Sequence, residues 1–288
     1  MNRRDLLKCA PILAAASCGA AAAAGESRFR TAICAYSFRK ELAEKSLKYD
    51  DLVSMAVDQN IDGLDLTVYW FPDTSDEFLL PLKNLAYRNG VEIYSISVRS
   101  EMTRPDEDGR KREAESVRKW IDVASKLGAG HIRVFGGNVP EGRSEEEAAG
   151  WVADVLRQSS GYAASKGVFL GLENHGGITL RAETIIDIVN RVDSPWVAIN
   201  LDTGNFRSEP YKQIESCLPY AVNAQFKIEM RNEDDTRSPS DWERIVQLFA
   251  KANYRGYLAL EYEGSEPALE AFPKHMRRLQ DLARKHSA

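Results

Sequence analysis

A chain of 288 residues, 43% hydrophobic and 28% charged, has the composition of a globular protein with enough apolar material for one large domain or two small ones. A formal net charge of -5 argues against a nucleic-acid binder, which would carry a basic face. The five Trp and eleven Tyr are scattered as core aromatics are, rather than grouped into a stacking platform.

The N-terminal segment stands apart from the rest. Asn2, Arg3, Arg4, Asp5, Leu6, Leu7 and Lys8 make a charged opening with an arginine pair, and an alanine-dominated apolar stretch follows from Cys9 to Ala24. This reads as an export signal over residues 1–24, with Ala22, Ala23 and Ala24 as an A-x-A cleavage site. The Arg-Arg-x-Leu-Leu-Lys order resembles the twin-arginine class, which implies export to the bacterial periplasm. The alternatives are lipidation at Cys18, although alanines stand where a Leu-containing lipobox is expected, and retention of the segment as an uncleaved anchor. No later segment approaches the roughly 20 apolar residues that span a bilayer, so no transmembrane segment is expected after cleavage. Cleavage would leave Cys34 and Cys217, both in apolar surroundings and too few for a disulfide scaffold.

From Arg30 onward two periodicities alternate. Short runs rich in Ile, Val, Leu, Phe and Tyr, bounded by Gly, Asn, Asp or Pro, predict strands at 31–38, 61–68, 91–99, 131–137, 168–175, 197–205, 223–230 and 257–263. Apolar residues at three-and-four spacing between them predict helices: Leu52, Val53 and Ala56; Phe78, Leu82 and Leu85; Val117, Ile121 and Ala124, stopped by Gly128; Val152, Val155 and Leu156; Ile185, Ile188 and Val189; Trp242, Ile245 and Phe249. A shorter helix at 211–220 is interrupted by Pro219, and 267–285 closes the chain as an eighth. Charge runs at 106–112 and 141–147 read as solvated loops or helix starts. Eight strand-helix units with no linker predict a single-domain α/β protein over residues 30–288, a (β/α)8 barrel. The rival doubly wound sheet would need a Gly-rich phosphate turn after its first strand, and that turn is absent.

Function in such barrels sits at the carboxyl ends of the strands. Strand five ends in Glu173 and His175, with Gly176 and Gly177 behind them; strand six in Asp202, Thr203, Gly204 and Asn205; strand eight in Glu261 and Glu263. Alternation along strand seven puts Asn223, Gln225, Lys227 and Glu229 on one face, expected to look into the mouth. Any one of these residues is accounted for by a salt bridge or a helix cap. Together, Glu173, Asp202, Gln225 and Glu261 bring three carboxylates and an amide from four successive strands to one place, and a divalent cation would relieve their repulsion, since all are hard oxygen ligands.

The motifs LGLENHGG around Glu173, INLDTGN around Asp202, AQFK around Gln225 and LALEYEG around Glu261 resemble the sugar phosphate isomerase/epimerase superfamily, the xylose isomerase-like TIM barrels. The resemblance runs from about Arg30 to the end. It implies one divalent ion held by Glu173, Asp202, Gln225 and Glu261, with Glu173 and Glu261 also serving as acid and base. Gln225 stands where many members have His, and Asn205 where ketose epimerases often have a second, substrate-binding His. Lys227 matches the lysine of the family's H-x-K strand, and Arg231 falls where epimerases place an arginine near the substrate. His175, Asn205, Lys227 and Arg231 are therefore the expected substrate-binding set. With both His positions changed the ligands are all oxygen, which favours Mn²⁺ or Mg²⁺, with Co²⁺ as a further option, over Zn²⁺. The family also implies pairing through helical faces as a homodimer.

Such a site implies a metal-polarised sugar carbonyl, proton abstraction beside it by one glutamate, and proton return by the other through an enediolate. The expected activity is isomerisation or epimerisation of an unphosphorylated keto-sugar. The alternatives are β-elimination or hydration on a 3-keto-glycoside, and a non-catalytic sugar-binding barrel. An endonuclease-type trinuclear zinc site is disfavoured by a count of only four His. Within the remaining candidates, His175 reads either as a second acid or as a satisfied strand-end histidine, and His131, at the start of strand four, as structural.

Overall fold

A computed structural model describes residues 28–287, so the expected export signal lies outside the described residues. Eight parallel strands close into a barrel: β1 (Arg28–Cys34), β2 (Gly63–Thr67), β3 (Glu92–Ser97), β4 (His131–Val134), β5 (Phe169–Glu173), β6 (Val197–Asp202), β7 (Ala221–Lys227) and β10 (Arg255–Glu261), with β10 pairing to β1 to seal the sheet. A two-stranded hairpin of β8 (Glu229–Arg231) and β9 (Arg237–Pro239) stands outside the barrel sheet. The run expected as one strand over 223–230 therefore breaks after Lys227. No helix among the described residues is long and apolar enough to cross a membrane.

The helices form where the apolar stripes predict them: α2 (Tyr49–Asp58), α3 (Asp76–Arg88), α4 (Glu107–Leu127), α5 (Glu145–Lys166), α6 (Ala182–Val192), α7 (Pro210–Cys217), α8 (Trp242–Lys251) and α9 (Ala268–His286), together with a short α1 (Arg39–Ala43). Both charge runs are helix starts. The Asp106 carboxylate accepts from the Gly109 N–H at the head of α4, and Ser144 and Glu147 make a reciprocal capping box on α5. Gly128 ends α4 at φ 87°, a left-handed conformation that costs glycine little.

Strand alternation sorts the side chains into two compartments. Leu170, Leu172, Ile199, Leu201, Phe226, Leu258 and Leu260 point outward and join the large core beneath the helices. The barrel interior is narrower and mostly polar. Tyr94 and Tyr257 stack across it with ring centres 3.6 Å apart, beside Ala32, Cys34 and Ala259. Above them a buried hydrogen-bonded chain runs from the Tyr94 hydroxyl to Asn223 (3.0 Å), from the Asn223 amide to Asn200 (2.7 Å), from the Asn200 amide to the Gln225 carbonyl (2.8 Å), and from the Gln225 amide to Asp65 (3.0 Å). Ser95 and Ser97 each donate to Asp65, and Ser95 also meets His131 Nδ1 at 2.8 Å. The chain satisfies groups whose burial alone would cost several kcal/mol each.

His131 is structural, as expected from its position. Its ring lies over Gly171, where an added Cβ would collide with Nε2 and crowd Asn200. Burial, with a smaller push from Arg133, holds the ring down at about 3, so it is neutral. Gly171→Ala should therefore destabilise the barrel by about 1–3 kcal/mol in urea unfolding, with part of the loss recovered when His131 is also shortened to Ala; a Gly171→Ala loss within the error of the wild type would show that the ring swings away freely. The sign with pH follows from the same ring. It takes a proton below pH 6.5 when unfolded but only near 3 when folded, so its contribution is complete above pH 6.5 and is lost as the pH falls toward 3. His131→Gln should flatten that part of the stability profile.

Candidate active site

Glu173, Asp202, Lys227 and Glu261 are the last residues of β5, β6, β7 and β10, and alternation turns all four inward. Glu173, Lys227 and Glu261 line a cavity of about 320 Å³ at the carboxyl end of the barrel. Tyr36, Tyr69 and Phe135 wall it; Trp70 stacks behind Tyr36 at 6.0 Å, while Phe206 is fully buried core. His175 packs its ring against Phe135 with centres 4.2 Å apart.

Two cations answer the carboxylates. On one side Arg133, buried on β4, places Nε 2.9 Å from Glu173 Oε2 and donates through Nη1 to the Tyr69 hydroxyl (3.1 Å) and the Val98 carbonyl (3.0 Å). On the other, Lys227 Nζ lies 2.9 Å from Asp202 Oδ2, 2.8 Å from Glu263 Oε1 and 3.9 Å from Glu261 Oε2, and donates to Asn205 Oδ1 at 3.1 Å. Asn205 reaches back through its amide to Glu173 Oε1 at 3.4 Å, joining the two halves. Asp202 is held from behind by the Gly204 N–H at 2.7 Å, and its backbone exchanges two 2.8 Å hydrogen bonds with the Asn174 amide.

Burial dominates the proton affinities. It pushes the Glu173 carboxyl up to about 7, with Arg133 offsetting only part of the effect. Glu261 is raised well beyond the carboxylate range by burial, and the neighbouring Asp202 and Glu263 add to this against the pull of Lys227. Glu263 moves the other way: despite its burial cost, Lys227 and then Arg39 and Arg237 hold it ionised. Lys227 itself is raised, because the carboxylates around it outweigh its own desolvation, so it stays an ammonium. Burial and the nearby Lys227 and Arg133 lower His175 to about 4, leaving a neutral imidazole.

A family model described as xylose isomerase-like TIM barrel matches residues 51–282, most of the chain. The chain belongs to that family. Among similar solved structures, D-psicose 3-epimerase from Clostridium cellulolyticum H10 superposes with a TM-score of 0.72 at 16% identity, covering 89% of this chain and 99% of its own. A 3-keto-D-glucoside 4-epimerase from E. coli gives 0.68 at 14% identity, with 89% and 100% covered. A probable 3-DHS dehydratase from Bacillus anthracis gives 0.64 at 16%, with 87% and 98% covered. At these identities the likeness is one of fold. A comparison with curated proteins finds no match.

Within this xylose isomerase-like barrel, six of the expected residues line one cavity: Glu173, His175, Asn205, Lys227, Arg231 and Glu261. Asp202 lies directly beneath, fully buried and reached through Lys227. Gln225, expected beside them as a ligand, sits a layer lower with both ends of its amide engaged by Asn200 and Asp65. Of the polar face expected on strand seven, Asn223 likewise lies in the interior chain, and Glu229 has left the barrel on the hairpin, 3.7 Å from Arg237.

These positions bear on the divalent ion that the resemblance implies. Asp202 Oδ2 and Glu261 Oε2 are buried without hydrogen-bond partners, as ligand oxygens would be, but the cation facing both is the Lys227 ammonium. With Gln225 turned away and Glu173 paired to Arg133, no group of three or more His, Cys, Asp or Glu among the described residues is arranged to hold a metal. The residues present do not fit the ion.

Arg133, Glu263, Asp65, Arg99 and Tyr69 were not among the expected site residues. Arg133 had a legible signal, a lone charge inside the apolar run of strand four, and so did Glu263, two residues beyond Glu261 on the same face. Asp65, within strand two, carried the same kind of mark. Arg99 lies over the Tyr69 ring at 4.3 Å, a pairing across two loops that no local pattern reveals.

The Arg133–Glu173 pair is a desolvated contact with a measurable cost. Arg133→Met should lower the unfolding free energy by about 3–5 kcal/mol, and combining it with Glu173→Leu should restore most of the loss, because the uncompensated buried charge is then gone. Urea unfolding of both variants checks this; a double variant as unstable as the single one would show that packing of the guanidinium, not its charge, is what matters.

Proposed function

We propose that the barrel mouth moves a proton at a carbon next to the carbonyl of an unphosphorylated keto-sugar, the step common to isomerisation and epimerisation. The observation that carries this reading is the placement of two buried carboxyl groups, Glu173 and Glu261, on strands three places apart round the barrel and on a single cavity. Such an arrangement lets one group take a proton from one face of a substrate while the other delivers to the opposite face. Their surroundings differ as acid and base require: Glu173 has a guanidinium beside it, whereas Glu261 is crowded by further carboxylates.

In this mechanism Glu173 accepts the proton as the C–H bond breaks. The C–H electron pair becomes the new C=C bond, and the carbonyl π pair moves onto oxygen. Arg99, Lys227 and Arg231 line the cavity and supply N–H donors for the charge developing there. Glu261, held protonated, returns a proton to carbon, and the carbonyl re-forms. Tyr36, Tyr69 and Phe135 offer apolar faces to the C–H side of a sugar ring and shield the reaction from water. The loop after β10 carries Glu263 and Glu266, which would repel a phosphate where barrels of this kind often bind one. Membership of the xylose isomerase-like family and the epimerases among the similar structures support the same chemistry.

The test is NMR in D2O with a panel of ketoses and 3-keto-glucosides. Deuterium should enter beside the carbonyl of one of them, and Glu173→Gln and Glu261→Gln should each slow that uptake by about 10²-fold or more. A released aglycone in place of a new epimer would assign the same proton abstraction to an eliminating enzyme. Sugar binding by a folded barrel without exchange would make the protein a binding module and overturn the proposal.

A further inference from the structure

Although the resemblance carries a lysine at this position too, the geometry points to a different role for it here: we propose that the Lys227 ammonium is the resident cation of this barrel mouth, taking the place of a divalent ion and serving as the electrophile toward the substrate oxygen. Its role toward substrate rests on the proton-transfer reading above, but the charge replacement stands on geometry alone.

Lys227 Nζ is enclosed by Asp202, Glu263 and Glu261 at 2.9, 2.8 and 3.9 Å, with the Asn205 carbonyl as a fourth oxygen at 3.1 Å. Four oxygens carried by two strand ends and the loops that follow them thus converge on one nitrogen, as they would on a metal. Its side chain is 13% exposed, the exposed part facing the cavity. Much of the charge is answered without an ion. Glu173, Asp202, Glu261 and Glu263 would bring four negative charges if all were ionised, and Arg133 and Lys227 supply two positive charges in direct contact. A divalent ion would have to enter against a fixed ammonium and a fixed guanidinium, and it would find Gln225, the fourth expected ligand, already bonded to Asn200 and Asp65.

For the substrate, the consequence is a carbonyl polarised by a point charge and its N–H bonds rather than by a Lewis acid. The three Lys227 N–H groups meet Asp202, Glu263 and Asn205, so the substrate oxygen takes the place of the neutral Asn205 carbonyl; as the C–H proton passes to a carboxylate and the carbonyl π pair moves to oxygen, that N–H bond strengthens. No proton need leave nitrogen, and no oxidant or co-reactant is needed.

The purified protein should contain no stoichiometric Mn, Mg, Co or Zn by elemental analysis, give no binding heat on titration with MnCl2, and show the same Tm with and without EDTA. Lys227→Met should lower the Tm by roughly 5–10 °C, because the carboxylates lose their counter-ion, and Lys227→Arg should recover part of that shift. Any deuterium exchange into sugars should survive EDTA. Stoichiometric metal in the wild type, a Tm or an exchange rate that collapses in EDTA, or a Lys227→Met protein as stable as wild type would overturn the assignment. If Lys227→Met does not fold, the wild-type metal content and EDTA response decide alone. Absence of exchange with every sugar would refute the proposed reaction, while the metal content and EDTA response would still decide whether Lys227 replaces the ion.

Discussion

Buried carboxylates gathered at a barrel mouth need cations, and the rest of this site follows from how the need is met. Two like charges about 4 Å apart repel by roughly 4 kcal/mol at an effective dielectric of about 20, so several at one end of a barrel would oppose folding by an amount comparable to its whole stability. Here the compensation comes from within the chain. Arg133 answers Glu173, and Lys227 answers Asp202 and Glu263 with Glu261 close by. Asn205 ties the two halves by touching both Lys227 and Glu173. The result is a charged, hydrogen-bonded rim around a small cavity, with aromatic rings supplying the apolar wall.

The layer beneath the rim is polar as well. Most barrel interiors are filled by branched apolar residues, whereas this one carries a continuous polar chain from Tyr94 through Asn223, Asn200 and Gln225 to Asp65. Glutamine suits that layer because its amide offers a donor and an acceptor at once, and both find buried partners. An imidazole at the same position would have a different reach and different donors. With both ends of its amide engaged there, Gln225 belongs to the barrel interior, and Lys227 stands at the mouth.

The fold was open to view in the sequence because it rests on repeated local signals. Helix stripes such as Ile185, Ile188 and Val189, and strands whose alternate residues are apolar, report which face is buried without reference to anything distant. The helix starts at Asp106 and Ser144 and the stop at Gly128 are equally local. Strand seven departs from that pattern at its end. The alternation continues past Lys227, but the chain turns there to make the β8–β9 hairpin, which takes Glu229 away from the mouth. Glu173, Glu261, His175, Asn205, Lys227 and Arg231 come to one cavity because each occupies or follows a strand end, where barrel topology brings side chains together whatever the details of packing.

What each of those side chains does once assembled could not be read in the same way. By itself the sequence determined the barrel and the set of acids and bases that its strands deliver to one end, since periodicity and strand order are properties of the chain. Only the tertiary structure decided that Gln225 faces Asp65, that Arg133 pairs with Glu173, and that the Lys227 ammonium stands among the carboxylates. Those choices depend on distances between residues far apart in sequence and on the cost of burying charge, which no stretch of sequence contains.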